Sequence, residues 1–420
     1  MDDVVALVTG HVRPWVRNAA IFVYEAGQVP AIISACTDCD LTEISDLGVG
    51  GVDVYSPAAI ADAARAFGSL AGMLSWDDGI LVPTAVAAES LGLQRGSVRA
   101  LQLVRNKFSM RRTVASHGLR GPRFALVGSQ AECADAASTV GFPAILKPVN
   151  GTGSVLVRNV GSLVELEEQL EDVRRLALDE LDGMLRNPIT DPDGPDLIPS
   201  DTFLVEEYVP GHEIDLEVVI RGGVSEVCLM TEVHFQPGTF IEEAFVSPPT
   251  SIDAAQADAV RAAAAATLSI LGIDNTTVNM TFRVAGRGDP VLIEVNAGRP
   301  GGHMLAPMAW YRSGVNLLAE NLSLAVGLPA PDRGETHGES VAAMTLFPPR
   351  PGVLLGVRGV ETLRGHAAVI SVSDPAGIGH PFPSHATLYP LIVLVAGFAG
   401  TEQLGALRAE LMSQIEFELG

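Results

Sequence analysis

Glu294, Asn296 and Arg299 close a short apolar run, Leu292-Ile-Glu-Val-Asn-Ala-Gly-Arg-Pro-Gly-Gly-His303, with residue types suited to a metal-bound phosphate. On an extended strand, side chains two apart share a face, so Glu294 and Asn296 converge while Ile293 and Val295 point to a core. Magnesium takes such hard oxygens and completes its shell with water and phosphate oxygens. Arg299, in the turn that follows, can fork two N–H groups onto a phosphoryl group. A second candidate is Lys147, which ends an apolar run just before Pro148-Val-Asn-Gly151-Thr-Gly153-Ser154. Backbone N–H groups without Cβ atoms can approach phosphate oxygens there, and the lysine adds a point charge. Lys107 adds a third cation, on a helix. Taken singly, these have ordinary readings: a strand end with solvated polar residues, a hairpin turn, a solvated helix cation.

Two further stretches could recognise the rest of a ligand. A strand at 202–205 runs into Glu206-Glu207-Tyr208-Val209, breaks at Pro210-Gly211 and resumes. Such a break has the shape of an interdomain hinge, whose backbone can hydrogen-bond a flat heterocycle. Glu213, just beyond it, could accept both hydroxyls of a ribose or stand as an exposed carboxylate. Residues 234–249 mix aromatics with His234, Glu242 and Glu243 and read as a long loop, either a substrate lid or an Ω-like structural loop.

The chain has 420 residues, 47% hydrophobic and 18% charged, enough for two or three domains. Its 27 Lys and Arg against 50 Asp and Glu leave a net charge of −23, which repels nucleic acid and acidic membrane surfaces. A phosphate-bearing ligand must then be drawn in by local cations. The four cysteines read as isolated reduced thiols, Cys36-x-x-Cys39 being weak without a second pair. The N-terminus lacks a positively charged leader, and the apolar stretch 388–400 is shorter than a membrane helix and holds Pro390, so a cytoplasmic location is expected.

Periodicity predicts strands at 4–8, 31–33, 52–55 and 72–75, with an Ala-rich helix capped by Ser56, a parallel βαβ layout. No Gly-x-Gly-x-x-Gly follows the first strand, which excludes a dinucleotide site there. Helices are expected at 97–104 and 107–117, an amphipathic helix from Ser162 to about Leu185, and a mobile acidic loop at 187–196. A helix capped by Asp253, a hairpin of 277–284 with the Glu294 strand and a helix at 313–326 follow. The remainder alternates strands and turns and ends in a helix from Thr401.

In this order, Lys107, Ile145-Leu-Lys-Pro-Val-Asn-Gly-Thr-Gly-Ser154, Val205-Glu-Glu-Tyr-Val-Pro-Gly-His-Glu213 and Ile293-Glu-Val-Asn-Ala-Gly-Arg299 resemble the ATP-grasp superfamily over nearly the whole chain. Phe240-Ile-Glu-Glu with Ser247-Pro248, and Arg299-Pro-Gly-Gly-His303, look most like its carboxylate-amine ligases, the L-amino acid ligase and dipeptide synthetase branch. The resemblance implies an α/β (α+β) ATP-grasp fold. Residues 1–95 would form a Rossmann-like pre-ATP-grasp domain. Residues 96–334 would be the ATP-grasp domain, with a lid at about 121–208 beside a large mixed sheet, and 335–420 a C-terminal cap subdomain. ATP and Mg²⁺ are implied cofactors. Lys107, Lys147, Gly151, Gly153 and Ser154 would meet phosphates, the backbone at 206–209 adenine, and Glu213 ribose. Glu294, Asn296 and Thr281 would hold metal. Arg299, Lys147, Gly302 and His303 would be catalytic, and His234, Glu242, Glu243 and Arg299 would face small amino-acid-like carboxylate and amine substrates; a homodimer is compatible.

One departure stands out. Relatives place a second acidic metal ligand on the strand before Glu294, where this chain offers Asn279, Thr281 and Arg283, which share a face and include no acid. The leading expectation is an ATP-dependent ligase forming an amide through an acyl phosphate. The alternatives are a nucleotide-binding protein with impaired catalysis and an ATP-grasp carboxylase, the latter opposed by the lack of a Met-Lys-Met biotin-carrier segment.

Overall fold

Alternating apolar runs and Ala-rich helical stretches build an N-terminal parallel sheet in a computed structural model of the chain, which describes all residues except 1–3, 11–13, 38, 179–182, 287, 303 and 383–388. Its strands are β1 (Val4–Thr9), β2 (Val29–Ser34), β3 (Leu47–Val49) and β4 (Leu70–Leu74), in the order β3-β2-β1-β4. Ser56 caps the helix Pro57–Arg65 as its sequence predicts, accepting the Ala59 N–H. The expected strand at 52–55 is absent because Asp53 accepts the Tyr55 N–H at 3.1 Å. This local turn competes with a sheet ladder, and the strand falls earlier, at β3. Cys36 and Cys39 form a disulfide, overturning the expectation of separate thiols. The turn after β2 brings their Cα atoms to 5.7 Å, within bridging range.

A second sheet, entirely antiparallel, comprises β5 (Phe124–Val127), β6 (Ala144–Pro148), β7 (Arg158–Val160) and β8 (Phe203–Glu207), in the order β5-β8-β6-β7. The helices Gln130–Val140 and Leu163–Leu178 bury Cys133, Val140, Leu166 and Leu170 on one face of it. The acidic stretch 187–196 is pinned, contrary to its mobile reading. Asp191 is buried and accepts from Arg112 at 2.7 Å, and Asp193 pairs with Arg99.

The third sheet has eight strands. In chain order β9 (His212–Arg221), β10 (Val224–Phe235), β11 (Glu242–Ser247), β12 (Thr276–Val284) and β13 (Val291–Ala297) join β14 (Val341–Leu346), β16 (Val369–Val372) and β18 (Leu391–Ala396). Their order is β13-β12-β9-β10-β11-β14-β18-β16, every neighbour antiparallel. The 234–249 stretch is thus largely strand, because Glu242–Ser247 pairs with both β10 and β14. Three strands after residue 335 extend this same sheet, while β15 (Gly352–Arg358), β17 (Pro381–Phe382) and β19 (Glu416–Leu419) form a small one. β19 follows the helix Thr401–Met412, so the chain closes on a strand.

Along β9 apolar and acidic residues alternate, and this sets the two faces of the large sheet. Ile214, Leu216 and Val218 pack against the helices Val98–Arg105, Lys107–Ser116 and Ala254–Leu271, the last with an Asp253–Gln256 capping box and Gly272 in the left-handed region at its end. Glu213, Asp215 and Glu217 face the other way. The single helix expected at 313–326 is two, Leu305–Ser313 and Leu317–Val326, because Gly314 takes φ +67° and Asn316 caps a new start.

Candidate active site between the second sheet and the large sheet

A cavity of about 280 Å³ separates β6, β8 and the glycine loop from the acidic face of β9, β12 and β13. It is of the order of small-molecule sites. Around it the fold gathers Lys107, Lys147, Gly151, Gly153, Ser154, Glu206, Glu207, Tyr208, Val209, Glu213, Glu242, Thr281, Glu294, Asn296, Arg299 and Gly302, groups up to 195 residues apart in sequence (Lys107 to Gly302). Two candidates point elsewhere. His234 lies on the opposite face of β10 from Phe235, which lines the cavity, and its ring is 3.6 Å from Glu232. Glu243 pairs with Arg408 of the C-terminal helix at 2.8 Å. His303 lies outside the described residues.

The cations are held by carboxylates. Lys107 Nζ sits 2.5 Å from Glu294 Oε1 and donates to the Gly151 carbonyl at 3.0 Å, tying helix, glycine loop and β13 together. Burial pushes the Glu294 carboxyl up, but Lys107 and Lys147 outweigh it and hold it below its usual value. Burial pulls the Lys107 ammonium down; Glu294 opposes this, and Arg105 and Lys147 add to it. Lys147 lies 2.5 Å from Glu206, whose other oxygen accepts from Arg111 Nε at 2.6 Å. Glu206 therefore offers the cavity backbone rather than a free carboxylate. Arg299 donates to Asp78 at 2.5 Å and to the Pro300 carbonyl at 2.8 Å.

Asp78, Arg105 and Asn150 escaped sequence reasoning. Asp78 sits after β4 and accepts from Arg299, from Arg105 at 2.8 Å and from Thr152 of the glycine loop. Burial raises its carboxyl, yet the two guanidinium groups hold it well below the usual range. Arg105 also donates to Asn150 at 2.7 Å. No local spacing marks a loop aspartate of the first sheet for this role.

Asp215, Glu217 and Arg283 were also missed, although the alternation Glu213-Ile-Asp215-Leu-Glu217 was a usable signal. Arg283 pairs with Glu213 at 2.7 Å and stacks over Phe235. Glu217 accepts from the Asn279 amide at 2.9 Å and from the Gly301 N–H at 3.0 Å. A Cβ at Gly301 would lie 2.1 Å from Glu217 Oε1 and would push that carboxylate aside, whereas nothing comes within 4 Å of one at Gly302. Asp215 receives the Thr281 hydroxyl, but its Oδ1 is buried with no partner.

This face strains the protein as pH rises. Burial pushes Glu217 up to about 7; burial, only partly offset by Arg283, does the same to Glu213. The folded protein then holds protons that the unfolded chain has released above its ordinary 4.5, so stability falls as pH climbs from about 4.5 to 7. The protonated acid and an amide are alike. Glu217→Gln is therefore expected to melt like the parent at pH 5 and to be more stable by on the order of 1–3 kcal/mol at pH 8, read by thermal unfolding without ligand.

Comparison with known proteins agrees with this geometry. The ATP-grasp domain family matches residues 140–306, from the end of the helix Gln130–Val140 to the Arg299 turn and the start of the helix after it. Human carnosine synthase 1 is 30% identical over 325 residues, covering 74% of this chain and 38% of that protein, so the chain spans well under half of that relative. A D-alanine–D-alanine ligase of Cupriavidus metallidurans is 25% identical over 279 residues, 63% of this chain and 76% of that enzyme. Among solved structures, an L-amino acid ligase from Bacillus licheniformis superposes with a TM-score of 0.82 at 19% identity, covering 100% of this chain and 99% of that one. The two clamping walls of the cavity, the glycine loop and the Glu294 strand thus belong to an ATP-grasp domain, and the chain as a whole has the ATP-grasp fold.

Proposed function

We propose that the protein is an ATP-dependent carboxylate-amine ligase acting on amino-acid-like substrates, forming an amide through an acyl phosphate and releasing ADP and phosphate. The observation that carries this reading is the meeting of Lys107, Lys147, the glycine loop, Glu294, Asn296 and Arg299 on one cavity. The relatives named above, a carnosine synthase and a D-alanine–D-alanine ligase, support it. The location proposed is cytoplasmic; among the described residues no helix is long and apolar enough to cross a membrane.

Glu294 and Asn296 are hard-oxygen donors side by side on β13, in register with Thr281 and Asn279, and fit Mg²⁺. Bound there, Mg²⁺ would neutralise phosphate charge and polarise the transferring group. Lys107 and Lys147 would take phosphate oxygens, the backbone around Val209 the adenine and Glu213 the ribose. The substrate carboxylate then attacks the γ-phosphorus, ADP leaves, and an amine displaces phosphate from the acyl carbon. Arg299 offsets the repulsion between carboxylate and phosphoryl group, both anions. Closure of the glycine loop keeps water from the acyl phosphate. The Gly301-Gly302 turn and Glu242, held by Tyr389, frame the substrate end.

Lys107 and Glu294 neutralise each other across 2.5 Å, so nucleotide binding would exchange partners: phosphate for Lys107, cation for Glu294. Lys107→Ala is expected to weaken ATP binding by about 10–100-fold, the value of a charge-assisted hydrogen bond, in calorimetric titration. A matrix of acids and amines scored for phosphate release, with mass spectrometry on each hit, tests the function. Release only when acid and amine are both present supports it. ATP binding without turnover across the panel overturns it, and bicarbonate-dependent turnover points to a carboxylase.

A further inference from the structure

We propose that Asp215 is a ligand of the active-site divalent cation, supplying from β9 the carboxylate that β12 lacks; this rests on the ATP-and-magnesium reading above. Across three strands, Asp215 pairs with Thr281 and Thr281 with Glu294, so one level of the sheet reads acid, small hydroxyl, acid. Directly opposed residues on antiparallel strands point to the same face, and all three line the cavity. Neighbouring strands lie about 4.8 Å apart, which sets the two acids about 10 Å apart at the backbone with only the short threonine between them. Both carboxylates open onto the one cavity.

The other groups on this face are already committed. Glu213 has Arg283, Glu217 has Asn279 and the Gly301 N–H, Glu242 has the Tyr389 hydroxyl, and Glu294 has Lys107. Asn279 is spent on Glu217, and Arg283 is a cation, so neither replaces the missing acid. Asp215 is 8% exposed, and its Oδ1 has no partner. Thr231, across from it on β10, has a buried hydroxyl that is likewise unpartnered. A buried carboxylate oxygen without a donor is costly, and native proteins keep such atoms where a partner arrives. The carboxyl groups of Glu213, Glu217 and Glu242 lie near enough to act on it and, among the described residues, no cation does, so the partner that fits is a cation.

Moving a ligand from one strand to the next at the same level keeps it on the same face, displaced by one strand spacing of about 4.8 Å. The test measures Mn²⁺ binding by the loss of the free-ion paramagnetic resonance signal, with a non-hydrolysable ATP analogue present, in the parent, Asp215→Asn and Asp215→Asn with Thr281→Asp. Asp215→Asn is expected to raise the Mn²⁺ Kd by about 10–100-fold, at least the loss seen when groups supporting a metal ligand are removed. Thr281→Asp in that background returns a carboxylate to the same level and is expected to recover most of it. The melting temperature provides a second readout. Removing the unpaired acid is expected to raise it without ligand and to shrink the increase that Mn²⁺ and analogue produce; Asp215→Ser serves if the asparagine variant does not fold. Unchanged Mn²⁺ affinity in a folded Asp215 variant overturns the proposal while leaving the ligase reading intact. A parent protein that binds analogue but no Mn²⁺ overturns the metal-site reading and the proposal together.

Discussion

Arg299→Ala is expected to cut turnover by about 10²–10³-fold, the usual loss when one preorganised donor to a developing charge is removed. The fold should survive. Asp78, the partner that Arg299 leaves behind, keeps Arg105 at 2.8 Å and so is not orphaned. The loss should appear in kcat more than in KM, because in the proposed reaction the guanidinium meets charge that builds up during transfer. Arg299→Lys separates charge from shape: it keeps the cation but cannot fork onto two oxygens, and its rate should fall between the parent and the alanine variant. Steady-state kinetics on a substrate pair found in the matrix decide this, and a fully active alanine variant would remove Arg299 from the chemistry.

Glu206→Ala is expected to cost about 3–5 kcal/mol of stability, because it leaves two buried cations without a counter-charge. Arg111 is 1% exposed and Lys147 7%, and both reach the same carboxylate. On a total of roughly 5–15 kcal/mol such a loss is severe, and urea unfolding should show it as a lower midpoint at unchanged slope. Burial pushes Glu206 up, but Arg111 and Lys147 outweigh it and hold the carboxyl down at about 2, against 4.5 when unfolded. A depressed carboxylate contributes in full above pH 4.5 and loses that contribution as pH falls toward 2. Acid sensitivity in that window should therefore shrink in Glu206→Gln. Arg111→Met combined with Glu206→Leu should lose less than the two single losses summed, since neither buried charge of that pair is then stranded.

Much of the frame was legible because it is written in periodicity. The β1–β2 alternation, the caps at Ser56 and Asp253, and the β12–β13 hairpin follow from local chemistry. Errors arose where one local rule beat another or where distant packing decided. Asp53 made a turn where hydrophobic runs suggested a strand. The 242–247 segment looked like loop because its polar start hides a strand that needs β10 and β14 on either side. For the site, Lys147, Glu294 and Asn296 stood out as polar groups at the ends of apolar runs, and Lys107 through the family resemblance. Glu243 carried the same composition cue as Glu242, and only Arg408, far along the chain, separates them. Asp78 gave no cue, since its meaning comes wholly from the two arginines that reach it.

That aspartate has a consequence for anyone who would recombine this protein. The N-terminal parallel sheet looks interchangeable, standing ahead of the cavity in the chain, yet the loop after its last strand anchors both Arg299 and Thr152 of the glycine loop through Asp78. A chimera that swaps this module for a homologous one will inherit a working centre only if the donor brings an acid to the same spot. Without it, the graft would fold as two sound pieces with a slack joint between them.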